Sequence, residues 1–325
     1  MAFSDIVGNE RQKNILRKAL QKERIPNSML FCGSEGVGKD SVALVLAKAM
    51  NCEKKKDDAC EACSSCKAIN RSQFPDVMVI SPEREVVKID QMRTLKQTAY
   101  LRPMAGRKRV FIVNEAEKMN EEAANSLLKI LEEPPFFSHI ILITHNSGLI
   151  KPTIRSRCQK LNFQPVSRED IQKVLVEKGW KKEKANTISL LVGGNLKRAL
   201  SLEWEEVQGK REQAWELFLS FLHQEKRASY LHEYVSSPNF IREELEEILE
   251  ILSSFYRDFI LVKEKGDTRL LMNPDYAPQF MKAQKILSLG RTMDCLEEID
   301  YALFGLHKNL NVNLLASSFF SNLTE

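Results

Sequence analysis

Short apolar runs separated by amphipathic stretches fill the first half of the chain. The runs cover residues 29–32, 77–80, 110–113 and 140–144, with a weaker one at 161–163. Each is strand-sized, rich in Val, Ile, Leu and Phe, and apolar on consecutive positions, as expected of strands covered on both faces. Between them, residues 90–100 and 120–132 follow the three- and four-residue spacing of amphipathic helices. Strands alternating with helices predict a parallel sheet with helices on both faces.

The pattern changes at Pro165. No strand-sized run follows until about residue 203. Ser167 is placed to cap a helix opening at Arg168-Glu169-Asp170, and Gly193-Gly194 breaks a second helical pattern. Beyond Trp204 the chain is helical again. Leu245, Ile248, Leu249, Leu252, Phe255, Tyr256, Phe259 and Ile260 fall on one helix face, and Met293, Leu296, Ile299, Leu303 and Leu306 repeat the spacing. Such stripes predict the core of a helix bundle, and an oligomerisation face satisfies the same spacing. The expected division is 1–164, 165–203 and 204–325.

Composition narrows the class without naming a function. The 325 residues are 43% hydrophobic and 28% charged, ordinary for a soluble globular protein. A net charge of +4 is small for a chain coated with nucleic acid, so any basic surface is local. No apolar run reaches the roughly 18 residues of a membrane span, and the opening segment lacks the basic-then-apolar order of a secretory signal. A cytoplasmic chain without membrane partners is expected. In that setting seven cysteines argue against a disulfide framework. Cys52, Cys60, Cys63 and Cys66 instead have the spacing of a closed four-thiolate zinc site, about 52–66, with no open position for catalysis. Cys32, Cys158 and Cys295 read as core residues, and the charged run 53–58 as a solvated loop.

The strongest phosphate signal is Gly33-Ser34-Glu35-Gly36-Val37-Gly38-Lys39-Asp40, between a strand pattern and a helix pattern. Glycines let backbone N–H groups converge on phosphate, and Lys39 adds a charge. Asp40 stands where Ser or Thr would ligate Mg²⁺. The strand at 110–113 runs into Asn114-Glu115, where two acids would hold Mg²⁺ and polarise water. One metal-handling position has gained a carboxylate and the other has lost one. This leaves two readings, a site that no longer hydrolyses nucleotide and a relocated Mg²⁺ ligand. Arg155 and Arg157 follow the fourth strand, and an arginine there can stabilise a phosphoryl group held by a neighbouring subunit.

Taken together the motifs resemble the bacterial clamp-loader AAA+ family, the delta-prime and gamma/tau subunits of DNA polymerase III. Phe3-Ser4-Asp5-Ile6-Val7-Gly8-Asn9 resembles its adenine-side box, and residues 33–39 its P-loop. The four cysteines resemble its zinc module, and residues 123–135 the stretch after its Walker B strand. Thr144 falls at sensor 1, Ser156-Arg157-Cys158 at the Ser-Arg-Cys motif, Lys197 where sensor 2 usually has arginine, and residues 309–315 at the collar helix.

The resemblance implies a RecA-like AAA+ domain, a helical lid and a helical collar. It implies a hetero-pentamer with gamma/tau and delta subunits that loads a sliding clamp on primed DNA, as part of the polymerase III holoenzyme. Length, Asp40 and Asn114 favour a delta-prime type of stator, with Arg157 acting in trans, structural zinc, and ATP/Mg²⁺ doubtful in its own site. Val7, Gly33, Gly36, Gly38, Lys39, Asp40, Asn114, Glu115, Thr144 and Lys197 would form that site, vestigial or binding nucleotide without turnover in a stator and hydrolysing it in a gamma-like motor with a relocated Mg²⁺ ligand. Arg93, Arg102, Arg107, Lys108 and Arg109 are candidate phosphate contacts to DNA. A zinc-dependent nucleic-acid module is a weaker third reading.

Overall fold

The computed structural model describes residues 1–222, 242–308 and 310–322. Asn309, the first residue of the collar-like segment, and residues 223–241 of the expected third domain lie outside the described residues. The chain packs as two compact units, one of Met1–Val174 with Gly193–Leu200, the other of Leu175–Val192 with Ser201–Glu325.

The first unit is built on five strands, β1 (Ser28–Cys32), β2 (Val77–Ile80), β3 (Arg109–Val113), β4 (Ser138–Thr144) and β5 (Gln159–Asn162). They lie in the order β2-β3-β4-β1-β5, with every pairing parallel. Side chains of successive strand residues point to opposite faces, and both faces are covered. Met29, Phe31, Val110, Ile112, Ile141 and Ile143 join one core with the helices α1 (Glu10–Gln21) and α2 (Lys39–Met50). Leu30, Cys32, Phe111, Val113, Ile140 and Leu142 join the other, with α4 (Ile89–Ala99) and α5 (Glu121–Glu132). The short α3 (Ser64–Asn70) carries the last cysteine of the metal motif.

Register positions the chemistry. Cys32 pairs with Thr144, and Val113 with Leu142. The carboxyl ends of β1, β3 and β4 therefore present the P-loop, Asn114-Glu115 and Thr144 side by side, where ligands bind in open α/β sheets. The 53–58 run is not solvated throughout. Asp58 is buried, accepting from the Phe3 N–H at 2.9 Å and pairing with Arg17 at 2.9 Å. It pins the N-terminal box to α1.

After the sheet come α6 (Pro152–Arg155) and α7 (Arg168–Glu177), whose first turn is capped by the Ser167 hydroxyl accepting from Asp170 N–H at 3.1 Å. Next are α8 (Lys182–Leu191) and α9 (Leu196–Ser201), with Gly193 and Gly194 at φ 55° and 89° between them.

The second unit contains α10 (Trp204–Leu222), α11 (Arg242–Lys263), α12 (Ala277–Ala283), α13 (Leu289–His307) and α14 (Val312–Asn322). The α11 stripe is its core, with Leu245, Leu249, Leu252, Phe255, Tyr256 and Phe259 buried. On α13, Ile299 and Leu306 are buried as expected. Met293, however, is 51% exposed, and Cys295 takes the core position. Met293, Tyr301 and Phe304 form an outward apolar face of that helix. No helix among the described residues is long and apolar enough to cross a membrane.

Candidate functional site

The P-loop leaves β1 at Gly33, where a Cβ would stand 2.6 Å from the Phe163 carbonyl oxygen. Only glycine allows that approach. Gly36 is equally constrained. It has φ 68°, and a Cβ there would meet Asn195 Oδ1 at 1.7 Å. That amide oxygen is already engaged, accepting from the Arg198 N–H at 2.8 Å to start α9. The Lys197 N–H donates to the Gly36 carbonyl at 3.3 Å, so the sensor 2 segment sits directly on the P-loop. Gly38, at φ 87°, leads into α2. Asn9 Nδ2 donates to the Val37 carbonyl at 3.3 Å, which ties the box containing Val7 to the loop from the other side.

A pocket of about 240 Å³ lies behind this loop. It brings together Gly36, Lys39, Asp40, Asn114, Glu115, Thr144 and Lys197, seven of the expected residues. Val7, Gly33 and Gly38 shape its surroundings without lining it. Lys39 is buried and turned inward, its Nζ donating to the carbonyls of Gly33 at 2.7 Å and Ser34 at 2.6 Å. Burial lowers its pKa, opposed in part by Asp40, Glu117 and Glu35.

Glu115, Asn114 and Thr144, expected to act on nucleotide, are bonded to neighbours within the fold. Glu115 sits in the left-handed region at φ 48°, its carboxylate paired with Lys118 at 2.8 Å. Asn114 Nδ2 donates to Ser81 Oγ at 3.1 Å. Thr144 Oγ1 donates to the Asn146 carbonyl at 3.0 Å and accepts that residue's N–H at 3.1 Å. Asp40 lies in the first turn of α2, where an acid also complements the helix dipole.

Sequence reading missed Glu117, His145 and Ser81, which also line the pocket. Glu117 has a side chain only 4% exposed, and its Oε1 meets His145 Nδ1. Its Oε2 and the Asn114 Oδ1 are buried without a hydrogen-bond partner. An acid two residues beyond Glu115, in the same strand exit, was the available signal. The lining thus holds Glu35, Asp40, Glu115 and Glu117 against Lys39 and Lys197. Such a balance repels a polyphosphate, while the orphaned oxygens are hard donors of the kind Mg²⁺ accepts.

The arginine edge is arranged differently. Arg157 follows α6 on the surface, its side chain 34% exposed. Its Nε donates to Glu132 Oε1 at 2.7 Å and its Nη1 to the Thr153 carbonyl at 2.8 Å. Nothing of the P-loop or Walker B turn touches it among the hydrogen bonds and ion pairs of the described residues.

On the α1–α2 face, Cys52, Cys60, Cys63 and Cys66 converge, their sulfurs all within 4.8 Å of one another. Tetrahedral Zn–S bonds of about 2.3 Å fit that cluster. Backbone N–H groups of Lys55, Cys63 and Cys66 donate to Cys52, Cys60 and Cys63 sulfurs at 3.3, 3.3 and 3.4 Å. The N–H bonds, that of Ala62 foremost, pull the Cys60 pKa down to about 6, while burial pushes Cys66 up to about 12. A cation among them would favour all four thiolates, so the cluster can hold a metal ion. Cys32 and Cys295 are buried and Cys158 half-buried.

One candidate DNA contact is corrected. Arg109 is buried, its guanidinium paired with buried Asp76 at 2.7 Å and donating to the Thr98 and Arg102 carbonyls. It shapes the 98–109 loop and is not available to phosphate. Arg93, Arg102 and Arg107 are exposed, and half-buried Lys108 lies over the Phe136 ring.

Comparison with known proteins agrees with this geometry. Residues 8–167 match the family described as DNA polymerase III, delta subunit. The chain is 29% identical over 321 residues to the delta' subunit of Bacillus subtilis DNA polymerase III, covering 96% of both. It is 33% identical over 211 residues to the tau subunit of the same organism, a match spanning 62% of this chain and 37% of tau. Among solved structures, a gamma-subunit-related protein of Thermotoga maritima aligns with a TM-score of 0.50 at 19% identity, covering 96% of this chain and 98% of that one, which shows a shared fold. The match to the delta' relative covers 96% of both chains, whereas the match to tau covers 37% of tau, so the chain is similar over nearly its whole length to a delta' subunit of DNA polymerase III and over 62% of its length to tau.

Proposed function

We propose that this chain is a stator subunit that completes a neighbour's ATPase site while its own pocket is silent. The observation carrying this reading is the contrast between Arg157, outward and held in place, and the pocket, where Lys39 is folded back and Glu115 is drawn to Lys118. In this reading the chain works in a hetero-pentamer with delta and gamma/tau subunits that places a sliding clamp on primed DNA. Arg157 stabilises the charge developing on the neighbour's transferring phosphoryl group, an effect worth roughly 10³–10⁵ in rate. The four cysteines hold structural zinc. The division into AAA+ domain 1–164, lid 165–203 and collar 204–325 is part of the same proposal, and the outward face of Met293, Tyr301 and Phe304 supports a collar contact. Arg93, Arg102, Arg107 and Lys108 are the basic residues left for DNA phosphates.

A second reading has its own observation. The unpartnered Asn114 Oδ1 and Glu117 Oε2, with Asp40 near by, would hold Mg²⁺ in a gamma-like motor with a relocated metal ligand. Mg²⁺ bound there would neutralise phosphate charge, and Lys39 would have to release the loop carbonyls to reach it.

Addition of the purified chain to delta and gamma/tau subunits, with clamp and primed DNA, separates the two. The stator reading expects no hydrolysis by the chain alone and a large rise in hydrolysis and clamp loading when it joins the others. Turnover by the isolated chain that Lys39→Ala abolishes would establish the motor.

A further inference from the structure

Arg157 is a long, flexible side chain, and a guanidinium acts on a neighbour's phosphate only if its plane and reach are set beforehand. Two layers of contact set them. Beneath the surface, Leu131 on α5 and Ile154 on α6 are buried at 4% and 1% exposure in one core, so the backbones carrying Glu132 and Arg157 are fixed relative to each other. Above it, the 151–157 segment is tied to α5 at both ends of that helix. Lys151 pairs with Glu121 in its first turn at 2.8 Å, and Arg157 with Glu132 at its last residue.

The contact at Glu132 is more specific than an ordinary surface pair. Glu132 Oε1 accepts from Nε at 2.7 Å and also meets Nη2, while Nη1 donates to the Thr153 carbonyl at 2.8 Å and lies 3.4 Å from Ser156 Oγ. The inner edge of the fork is clamped from two directions, which leaves one Nη2 N–H for an incoming oxygen. Exposed ion pairs contribute little to stability. With side chains 34% and 48% exposed, this one is better suited to orientation than to holding the fold.

We propose that Glu132 is the positioning residue of the trans-acting arginine. It holds the Arg157 guanidinium with its outer edge toward the γ-phosphate of ATP bound by the adjacent subunit. The inference rests on the stator reading of Arg157. What Glu132 supplies is an acceptor oxygen at a fixed point, so a carboxamide serves nearly as well as a carboxylate.

The test is ATP turnover by the reconstituted loader with clamp and primed DNA, comparing Glu132→Ala, Glu132→Gln, Arg157→Ala and the double variant Glu132→Ala/Arg157→Ala. Glu132→Ala is expected to lower kcat by on the order of 10- to 100-fold with KM for ATP unchanged, and Glu132→Gln to stay within about threefold of wild type by the same argument. The double variant is expected to be no worse than Arg157→Ala, because the two residues act as one unit. Gel filtration confirms that each variant enters the complex. If Glu132→Ala leaves turnover unchanged or raises it while Arg157→Ala collapses it, Glu132 is not a positioning residue. A loss from Glu132→Ala that adds fully to that of Arg157→Ala, or that comes with failed assembly, assigns it a structural role and overturns the inference equally. If Arg157→Ala is itself without effect, the stator reading fails and the inference fails with it.

Discussion

The pocket behind the P-loop and the arginine-bearing edge at 151–157 rest on the same parallel sheet, yet their side chains are arranged in opposite ways. In the pocket, groups suited to acting on nucleotide are bonded to their own neighbours. Lys39 donates to its own loop carbonyls, Glu115 pairs with Lys118, and Asn195 sits against Gly36 while the Lys197 amide bonds its carbonyl. At the edge, the guanidinium is presented outward and clamped by Glu132 and the Thr153 carbonyl. A subunit that serves a neighbour's site needs only the second arrangement. The comparison teaches that a pocket with its own groups bonded internally and an arginine held at a surface edge can coexist in one chain, because different loops of the sheet carry them.

The comparison assumes a scaffold that stays intact during measurement, and pH offers the largest lever on that. His139, at the amino end of β4, is buried and donates through Nδ1 to the Pro26 carbonyl at 3.0 Å, while its Nε2 has no partner. Burial lowers its pKa from 6.5 to about 4. The unfolded chain therefore takes up a proton on this residue before the folded one does. Stability is fully present above pH 6.5, falls between 6.5 and about 4, and then levels, for a loss of about 3 kcal/mol at most. The depressed carboxylates Asp76 and Glu61 lose their contributions below their ordinary values of 3.8 and 4.5. Denaturant midpoints between pH 4.5 and 7.5 should show the decline in the wild type and a flatter profile in His139→Gln. Equal slopes would remove His139 as its cause.

A smaller effect sharpens the pocket side. Restoring the usual metal-handling residues with Asp40→Ser and Asn114→Asp should tighten Mg²⁺-dependent ATP binding by the isolated chain about tenfold, since removal of a charge near phosphate and gain of one beside the metal act together. Equilibrium binding of a fluorescent ATP analogue measures it. Binding that weakens instead would identify Asp40 as a working metal ligand.

Much of this was legible in the sequence. The five strands, α4, α5 and the cap at Ser167 follow from local periodicity, and the P-loop glycines and the four cysteines from spacing, because each of those signals is contained within a few residues. What escaped depended on contacts distant along the chain. Arg109 looked like part of a basic surface until Asp76, 33 residues earlier, was found to bury it. Asp58 belonged to a charged run until Phe3 and Arg17 claimed it. The Glu132–Arg157 clamp spans 25 residues, and nothing in either local sequence announces the other. Met293 fits the stripe on α13 by spacing, but the bundle buries a neighbouring arc instead, and periodicity alone does not fix which arc faces inward.

The most direct test of the account is the turnover of the complete loader, with clamp and primed DNA, carrying Arg157→Ala or Lys39→Ala in this chain alone. The account predicts that Arg157→Ala lowers hydrolysis by roughly 10³-fold at the site it serves, while Lys39→Ala stays within about twofold of wild type, having no transition state of its own to stabilise. A severe loss from Lys39→Ala with an unaffected Arg157→Ala would contradict it and make this chain a motor.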